Sequence, residues 1–340
     1  FQAIPHTPYY GTADATILYL TVLHEAWRWL GDAQLLAEYR PVAERCLDWI
    51  DHYGDRDGDG WQEYQTRSPL GYENMGWKDA SDAVVYPDGS PVPAPKALCE
   101  LQGYVYDAKR RMAEVFDALG QPQRAAELRA QAAELRRRFN TTFWVEREGC
   151  FAFGLDPAKR PIETVASNAG HCLWAGIAEP AKARRVAARL LQPDMWSGWG
   201  IRTLSAQHPA YNPFSYQRGA VWPHDNAFIA AGFKRYGFAA EANQVAQALF
   251  DAAACFEAYR LPELYAGLDR AETEFPVQYL GANIPQAWAA GSIFLLVRTI
   301  LGLQADAPAG RLYVNPTLPA WLPDMELRNL AVGGARLHLR

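Results

Sequence analysis

Connections between the helical segments of this chain alternate strictly between short and long. This constrains the fold more than any single motif does. Apolar residues recur at helical spacing (Ala15, Leu18, Tyr19, Val22, Ala26, Trp29) from a helix start near Asp14 to a terminating Gly31. Asp32 caps a second helix running to about Tyr53. The same unit recurs at about 98–119 and 122–139, at 168–178 and 180–191, and at 221–236 and 238–256, before a ninth helix at about 284–301. Within each pair the turn is two or three residues, marked by Gly120, Pro180 or Gly237. Between pairs the connections are about 54–96, 141–167, 192–219 and 257–283, far above the usual helix–helix loop.

In an array of antiparallel hairpins, alternate connections lie at opposite ends, so the four long loops are expected at one rim, joined by residues 1–13. The pattern predicts an all-α toroid of the (α/α)6 type that is N-terminally incomplete, nine helices being three short of the full ring. The expected boundaries are a toroid at 1–305 and a short β-rich extension at 306–340, where Leu312 and Val314, Leu330 and Val332, and Leu337 and Leu339 alternate among Pro and Gly.

Charge narrows the ligand. With 33 basic and 38 acidic residues, a net charge of -5 and no run of like charge, the sequence carries no footprint for nucleic acid or an anionic membrane, and a neutral ligand fits better. The outer face of the helix at 122–139 is nevertheless rich in Arg. The apolar stretch 287–303 is interrupted by Arg298 and is short for a membrane span. Five scattered cysteines without CxxC spacing suggest buried thiols in a reducing, cytoplasmic compartment.

Two expected rim loops each place an acid among apolar neighbours: Asn74-Met75-Gly76-Trp77-Lys78-Asp79 and Arg260-Leu261-Pro262-Glu263-Leu264. A carboxylate pair across a cleft suits glycosidic hydrolysis, with Asp79 and Glu263 as the catalytic candidates. Trp77 can desolvate Asp79 and raise its pKa. Asp82 and Glu73 compete with Asp79, which could also be an ordinary turn aspartate, and Glu263 could simply pair with Arg260. Trp61, Trp77, Trp144, Trp196, Trp199 and Trp222 offer indoles for stacking on a sugar, or anchors for long loops. Trp222-Pro223-His224-Asp225-Asn226 opens a helix whose free N–H groups can bond sugar hydroxyls. Tyr10, Lys78 and Gln286 complete the expected substrate contacts. Asp55, Asp57 and Asp59 copy the first half of a calcium loop, but Thr66 stands where a bidentate Glu belongs, so a tight Asx turn is the first reading and calcium the second. No other cofactor is implied.

These segments, with Pro8-Tyr9-Tyr10-Gly11-Thr12-Ala13-Asp14-Ala15-Thr16 and Ala97-Leu98-Cys99-Glu100-Leu101-Gln102-Gly103-Tyr104, resemble the bacterial amylo-α-1,6-glucosidase family, relatives of the C-terminal glucosidase domain of glycogen debranching enzyme. The resemblance implies a six-hairpin glycosidase and an inverting α-glucosidase, with the acid on Asp79 and the base on Glu263. It also implies an N-terminal β-sandwich and first barrel helices ahead of this sequence. The glucanotransferase domain of the bifunctional enzymes has no counterpart here, so full debranching is not implied. A trehalase-like or other small-glycoside hydrolase shares this expectation, and a non-catalytic glycan-binding module is the alternative of another class.

Overall fold

The computed structural model describes residues 11–67 and 71–340, so Tyr10 lies outside the described residues. Among the described residues are nine α-helices: α1 (Ala15–Leu30), α2 (Ala33–Trp49), α3 (Cys99–Ala118), α4 (Pro122–Thr142), α5 (Asn168–Ala175), α6 (Pro180–Leu190), α7 (Pro223–Arg235), α8 (Ala239–Ala254) and α9 (Ala287–Leu301). Each odd-numbered helix packs on the next odd-numbered one, so α1, α3, α5, α7 and α9 form an inner arc with α2, α4, α6 and α8 outside it. This is the (α/α)6 toroid architecture.

Burial follows the layering. In α3 even Glu100, Gln102, Asp107 and Lys109 are buried, whereas α4 buries only a stripe (Ala125, Leu128, Ala132, Leu135, Phe139, Asn140). Helix ends obey local chemistry. Gly31, at φ 72°, turns the chain after α1 and returns its N–H to the Trp27 carbonyl, and the Asp32 carboxylate accepts from Gln34 N at 2.8 Å to start α2. Pro122, Pro180 and Pro223 each open a helix, where a missing N–H costs nothing.

Three details differ from expectation. The end of the second helix is a π-helical turn, Ile50–Gly54, and α5 stops at Ala175 because Gly176 adopts φ 81°. Two small antiparallel pairs stiffen the long loops: β1 (Ala97–Leu98) with β4 (Gly154–Leu155), and β2 (Trp144–Val145) with β3 (Cys150–Phe151). The tail begins with β5 (Gln304–Asp306) paired to β6 (Arg311–Tyr313), followed by the hairpin of β7 (Leu327–Val332) and β8 (Ala335–Leu339). Arg28 of α1 holds Asp306 at 3.0 Å, fastening this tail to the inner arc.

All five cysteines are free thiols. Cys99, Cys150 and Cys172 are buried as expected, but Cys46 is half-buried and Cys255 is exposed. Among the described residues no helix is long and apolar enough to cross a membrane.

Candidate active site

Because the inner helices run parallel, their N-termini share one end with the long loops. Asp14, Glu100, Asn168, His224 and Gln286 all stand in or just before those first turns. The loops are zipped to one another by short antiparallel bridges, Ala166 to Leu204, Arg202 to Val221, Val221 to Tyr265 and Tyr265 to Gln278. Val221 and Tyr265 exchange backbone hydrogen bonds of 2.9 and 3.1 Å, which docks the loop carrying Glu263 against the start of α7.

The two acid-bearing loops meet over one apolar cluster separate from the main core. It contains Trp77, Ala220, Trp222 and Leu264, with Tyr216, Tyr279 and Ala282 packed on it. Trp77 lies two residues before Asp79, and Leu264 directly follows Glu263. The acids therefore flank a common floor.

Their environments differ. Asp79 is exposed, and Gln217 Nε2 donates to its Oδ1 at 3.2 Å. The same amide donates to Trp77 O at 2.9 Å and accepts from Ala80 N at 2.8 Å, clamping the chain on both sides of the acid. Neighbouring protein strips water from Asp79 and the Glu263 charge adds repulsion; together these raise its pKa above 3.8 against its hydrogen bonds. Glu263 is buried, and each oxygen is bonded: Oε1 accepts from Tyr216 Oη at 2.6 Å, and Oε2 from Asn283 N at 3.0 Å and Asn283 Nδ2 at 2.8 Å. Burial and the hydrogen bond to Glu263 keep the Tyr216 phenol firmly protonated, and the Asp79 charge acts on it too. Tyr216 thus sits within electrostatic reach of both acids. The competitors are otherwise engaged, Asp82 with Arg218 at 2.6 Å and Glu73 with Lys96 at 3.2 Å. No Arg260–Glu263 ion pair forms.

The remaining expected contacts divide. Trp77, Trp199 and Trp222 are buried, which corrects their reading as exposed stacking platforms. Trp199 is a loop anchor, donating to Thr273 Oγ1 at 3.1 Å beneath Arg270, whose guanidinium lies 4.3 Å from the ring. Trp222 donates to Tyr216 O at 2.7 Å and so holds the tyrosine that holds Glu263. Trp61 is buried under Arg138. Lys78 is wholly buried, its ammonium on Thr203 O at 2.7 Å and near the faces of Trp77 and Phe153, so it supports the loop from below and cannot touch a sugar. Gln286 caps α9, accepting from Trp288 N at 3.3 Å.

Beneath the acids lies a polar layer. His171 Nε2 contacts Asp225 Oδ1 at 2.6 Å, Tyr104 Oη meets His171 Nδ1 at 2.5 Å, and Trp77 stacks parallel on the His171 ring. His224 stacks on Trp288 with centroids 3.8 Å apart, and burial depresses its pKa to about 3, so it is neutral. Both His224 nitrogens, Asp225 Oδ2, Glu100 Oε1 and Trp77 Nε1 are buried without a hydrogen-bond partner. Orphaned polar groups are rare in folded proteins, and their gathering among the inner-helix starts marks a place built to hold polar ligand atoms or water.

Sequence reasoning did not pick out Tyr216, Gln217, Asn283, His171 or Trp288. Trp288, in the first turn of α9, keeps 37% of its surface exposed and is the indole best placed for stacking on a sugar. Asp14 was read only as a helix start. Its carboxyl is raised by burial, and the Asp79 charge adds to the effect, which places it in the same group.

The aspartate triplet has a protein cation. Lys159 Nζ lies 3.0 Å from Asp57, 2.9 Å from Asp59 and 2.6 Å from Glu63, while Asp55 accepts Gly58 N and Gly60 N at 2.9 Å. The carboxylates of Asp55, Asp57 and Asp59 come within 4.8 Å of one another, and the ammonium lies against two of the three.

A family model described as "Mannosylglycerate hydrolase MGH1-like glycoside hydrolase domain" matches residues 25–265. The chain is 28% identical over 147 residues to a mannosylglycerate hydrolase of Rubrobacter radiotolerans, and 31% identical over 125 residues to mannosylglycerate hydrolase MGH1 of Selaginella moellendorffii. These matches cover 42% and 35% of this chain but only 33% and 24% of the relatives. Among solved structures, a sialidase superposes with a TM-score of 0.71 at 12% identity, covering 97% of this chain and 30% of that one. A GH63 mannosylglycerate hydrolase from Thermus thermophilus, in complex with glucose, gives 0.61 at 18% identity, covering 85% of this chain and 76% of that one. At these identities the structural likeness establishes the fold alone.

Proposed function

The chain belongs to the mannosylglycerate hydrolase MGH1-like glycoside hydrolase family, and from that membership and the geometry above we propose that it hydrolyses a small glycoside by single displacement. Asp79 is the general acid and Glu263 the general base. The observation that supports this reading is the shared cluster of Trp77, Trp222 and Leu264, which adjoins both acids in sequence, together with the charge of each acid acting on the other's surroundings. Asp79 has one oxygen on Gln217 and the other free to carry a proton to the leaving oxygen. Desolvation keeps that proton on it to higher pH than an ordinary aspartate would allow. Glu263, held by Tyr216 and Asn283, keeps lone pairs for a water proton, and inversion follows if that water attacks from the face opposite the leaving group. Trp288 stacks on the sugar ring, and the orphaned polar groups around His224 and Asp225 organise the bottom of the pocket through ordered water.

The substrate class is a short glycoside of the mannosylglycerate kind. It takes precedence over the α-1,6-glucan reading because the two relatives named above bear the name mannosylglycerate hydrolase, whereas a glucan is supported by motif resemblance alone. Hydrolysis assays on mannosylglycerate, trehalose, maltooligosaccharides and a branched dextrin separate the two, with proton NMR of the first-formed anomer reporting stereochemistry. Preferential release of mannose with inverted configuration is expected. Turnover confined to the dextrin would replace the substrate assignment, and a retained anomer would replace the mechanism.

A further inference from the structure

The Arg-rich face of α4, which plays no part in the pocket, borders a cavity of about 420 Å³ on the outer flank of the toroid. Arg129, Arg136 and Arg137 line it from α4, Arg110 from α3, and Glu179 from the turn before α6. Ala132 and Ala133 lie between the arginines and leave room for a ligand against the helix. From Arg129 to Arg136 is two turns of helix, about 10 Å. The α5–α6 turn contributes to this cavity, so it stands at the end of the inner helices remote from the acids.

Charge is not balanced there. Arg129 pairs with Asp117 and Arg137 with Glu134, both outside the lining. Glu179, the acid within it, is engaged by Lys182 at 2.9 Å. Arg136 spends its donors on the Ile177 and Ala178 carbonyls at 3.3 and 3.1 Å, and Arg110 lies over the Tyr106 ring with the Glu114 charge one turn away, so neither has a carboxylate at ion-pair distance. Two guanidiniums are therefore without an ion pair, in a chain whose net charge is -5. Four arginines gathered in a concave site with a small-residue floor suit an anion.

We propose that this groove binds a small molecule bearing a di- or triphosphate group. The guanidinium fork matches phosphate oxygens two at a time, and a row about 10 Å long suits linked phosphates better than a single one. A volume of this size suits a small molecule.

Isothermal titration of the protein with tripolyphosphate, pyrophosphate and inorganic phosphate in physiological salt tests this. Saturable one-to-one binding of tripolyphosphate or pyrophosphate is expected, at least about tenfold tighter than orthophosphate. The double variant Arg110→Ala/Arg129→Ala should weaken it by at least about tenfold with an unchanged melting curve, while Arg147→Ala, a distant exposed arginine, binds like the parent. Should the double variant misfold, Arg110→Gln alone reads the same loss. Absence of saturable heat, equal affinity for orthophosphate, equal weakening in Arg147→Ala, or binding of an acidic peptide in place of the phosphates would each overturn the proposal.

Discussion

Burying Lys78 beneath the pocket should cost stability at neutral pH, and replacing it with methionine should recover part of that cost. Its ammonium has a hydrogen bond to Thr203 O but no ion pair at contact distance, and burial lowers its pKa from 10.5 to about 8 despite the charges of Asp225, Glu100 and Cys99. Between these values the unfolded chain holds a proton that the folded one has released, so stability rises with pH through the window. A shift from 10.5 to about 8 corresponds to a penalty of about 3 kcal/mol at pH 7, falling to about 1 kcal/mol by pH 9.5. Lys78→Met fills the same volume without the charge. It forfeits a hydrogen bond worth about 1 kcal/mol, and Thr203 O keeps its second donor, Ser167 N at 3.3 Å. The variant should therefore be about 2 kcal/mol more stable at pH 7 and nearly equal to the parent at pH 9.5. Urea unfolding followed by tryptophan fluorescence at the two pH values measures this. A variant less stable at pH 7, or a stability difference that does not change with pH, would show that the ammonium is well solvated or paired and that the reasoning is wrong.

Asp79→Asn should fold normally, since the residue is exposed, yet lower kcat by about 10² to 10⁴ and remove the alkaline limb of the pH–rate profile, which for the parent lies above ordinary carboxylate titration. Unchanged turnover would take Asp79 out of the mechanism. Tyr216→Phe removes the 2.6 Å bond to Glu263 and should lower kcat by roughly tenfold with little effect on KM; the opposite split would make Tyr216 a sugar contact. Lys159→Ala leaves Asp57, Asp59 and the buried Glu63 without their cation, and should destabilise the chain by about 2 kcal/mol while making its melting temperature respond to millimolar calcium. The parent should not respond, and a calcium-dependent melt of the parent would reinstate a metal at the triplet.

The toroid was legible because it depends on periodicity and loop length, properties each segment carries by itself. Apolar stripes, terminal glycines and opening prolines placed every helix to within a few residues. The two candidate acids stand out for a related reason, an acid lodged between apolar neighbours in a long loop being locally conspicuous. Their supports were not. Gln217 is chosen by a contact with Asp79 138 positions away, and Tyr216 by one with Glu263 47 positions away, and neither has a local signal. Tryptophan misled because the same indole serves a ligand or a loop. Trp199 and Trp222 both turn their N–H groups inward to protein acceptors, and only packing distinguishes them from the more open Trp288.

The two proposed acids stand on loops rather than on helices, away from the helix termini. Five inner helices point their N-termini at the pocket end, and each favours negative charge within its first turn. Asp225, in the first turn of α7, has that advantage together with the bond from His171, and its pKa is lowered in spite of complete burial. Asp14 at the start of α1 and Glu100 in the first turn of α3 are raised instead, burial outweighing the helix field there, so the low value at Asp225 needs its direct bond with His171. The proposed general acid, Asp79, has no such bond: it stands on an irregular loop, where desolvation and Glu263 raise its pKa and Gln217 offers a single neutral donor.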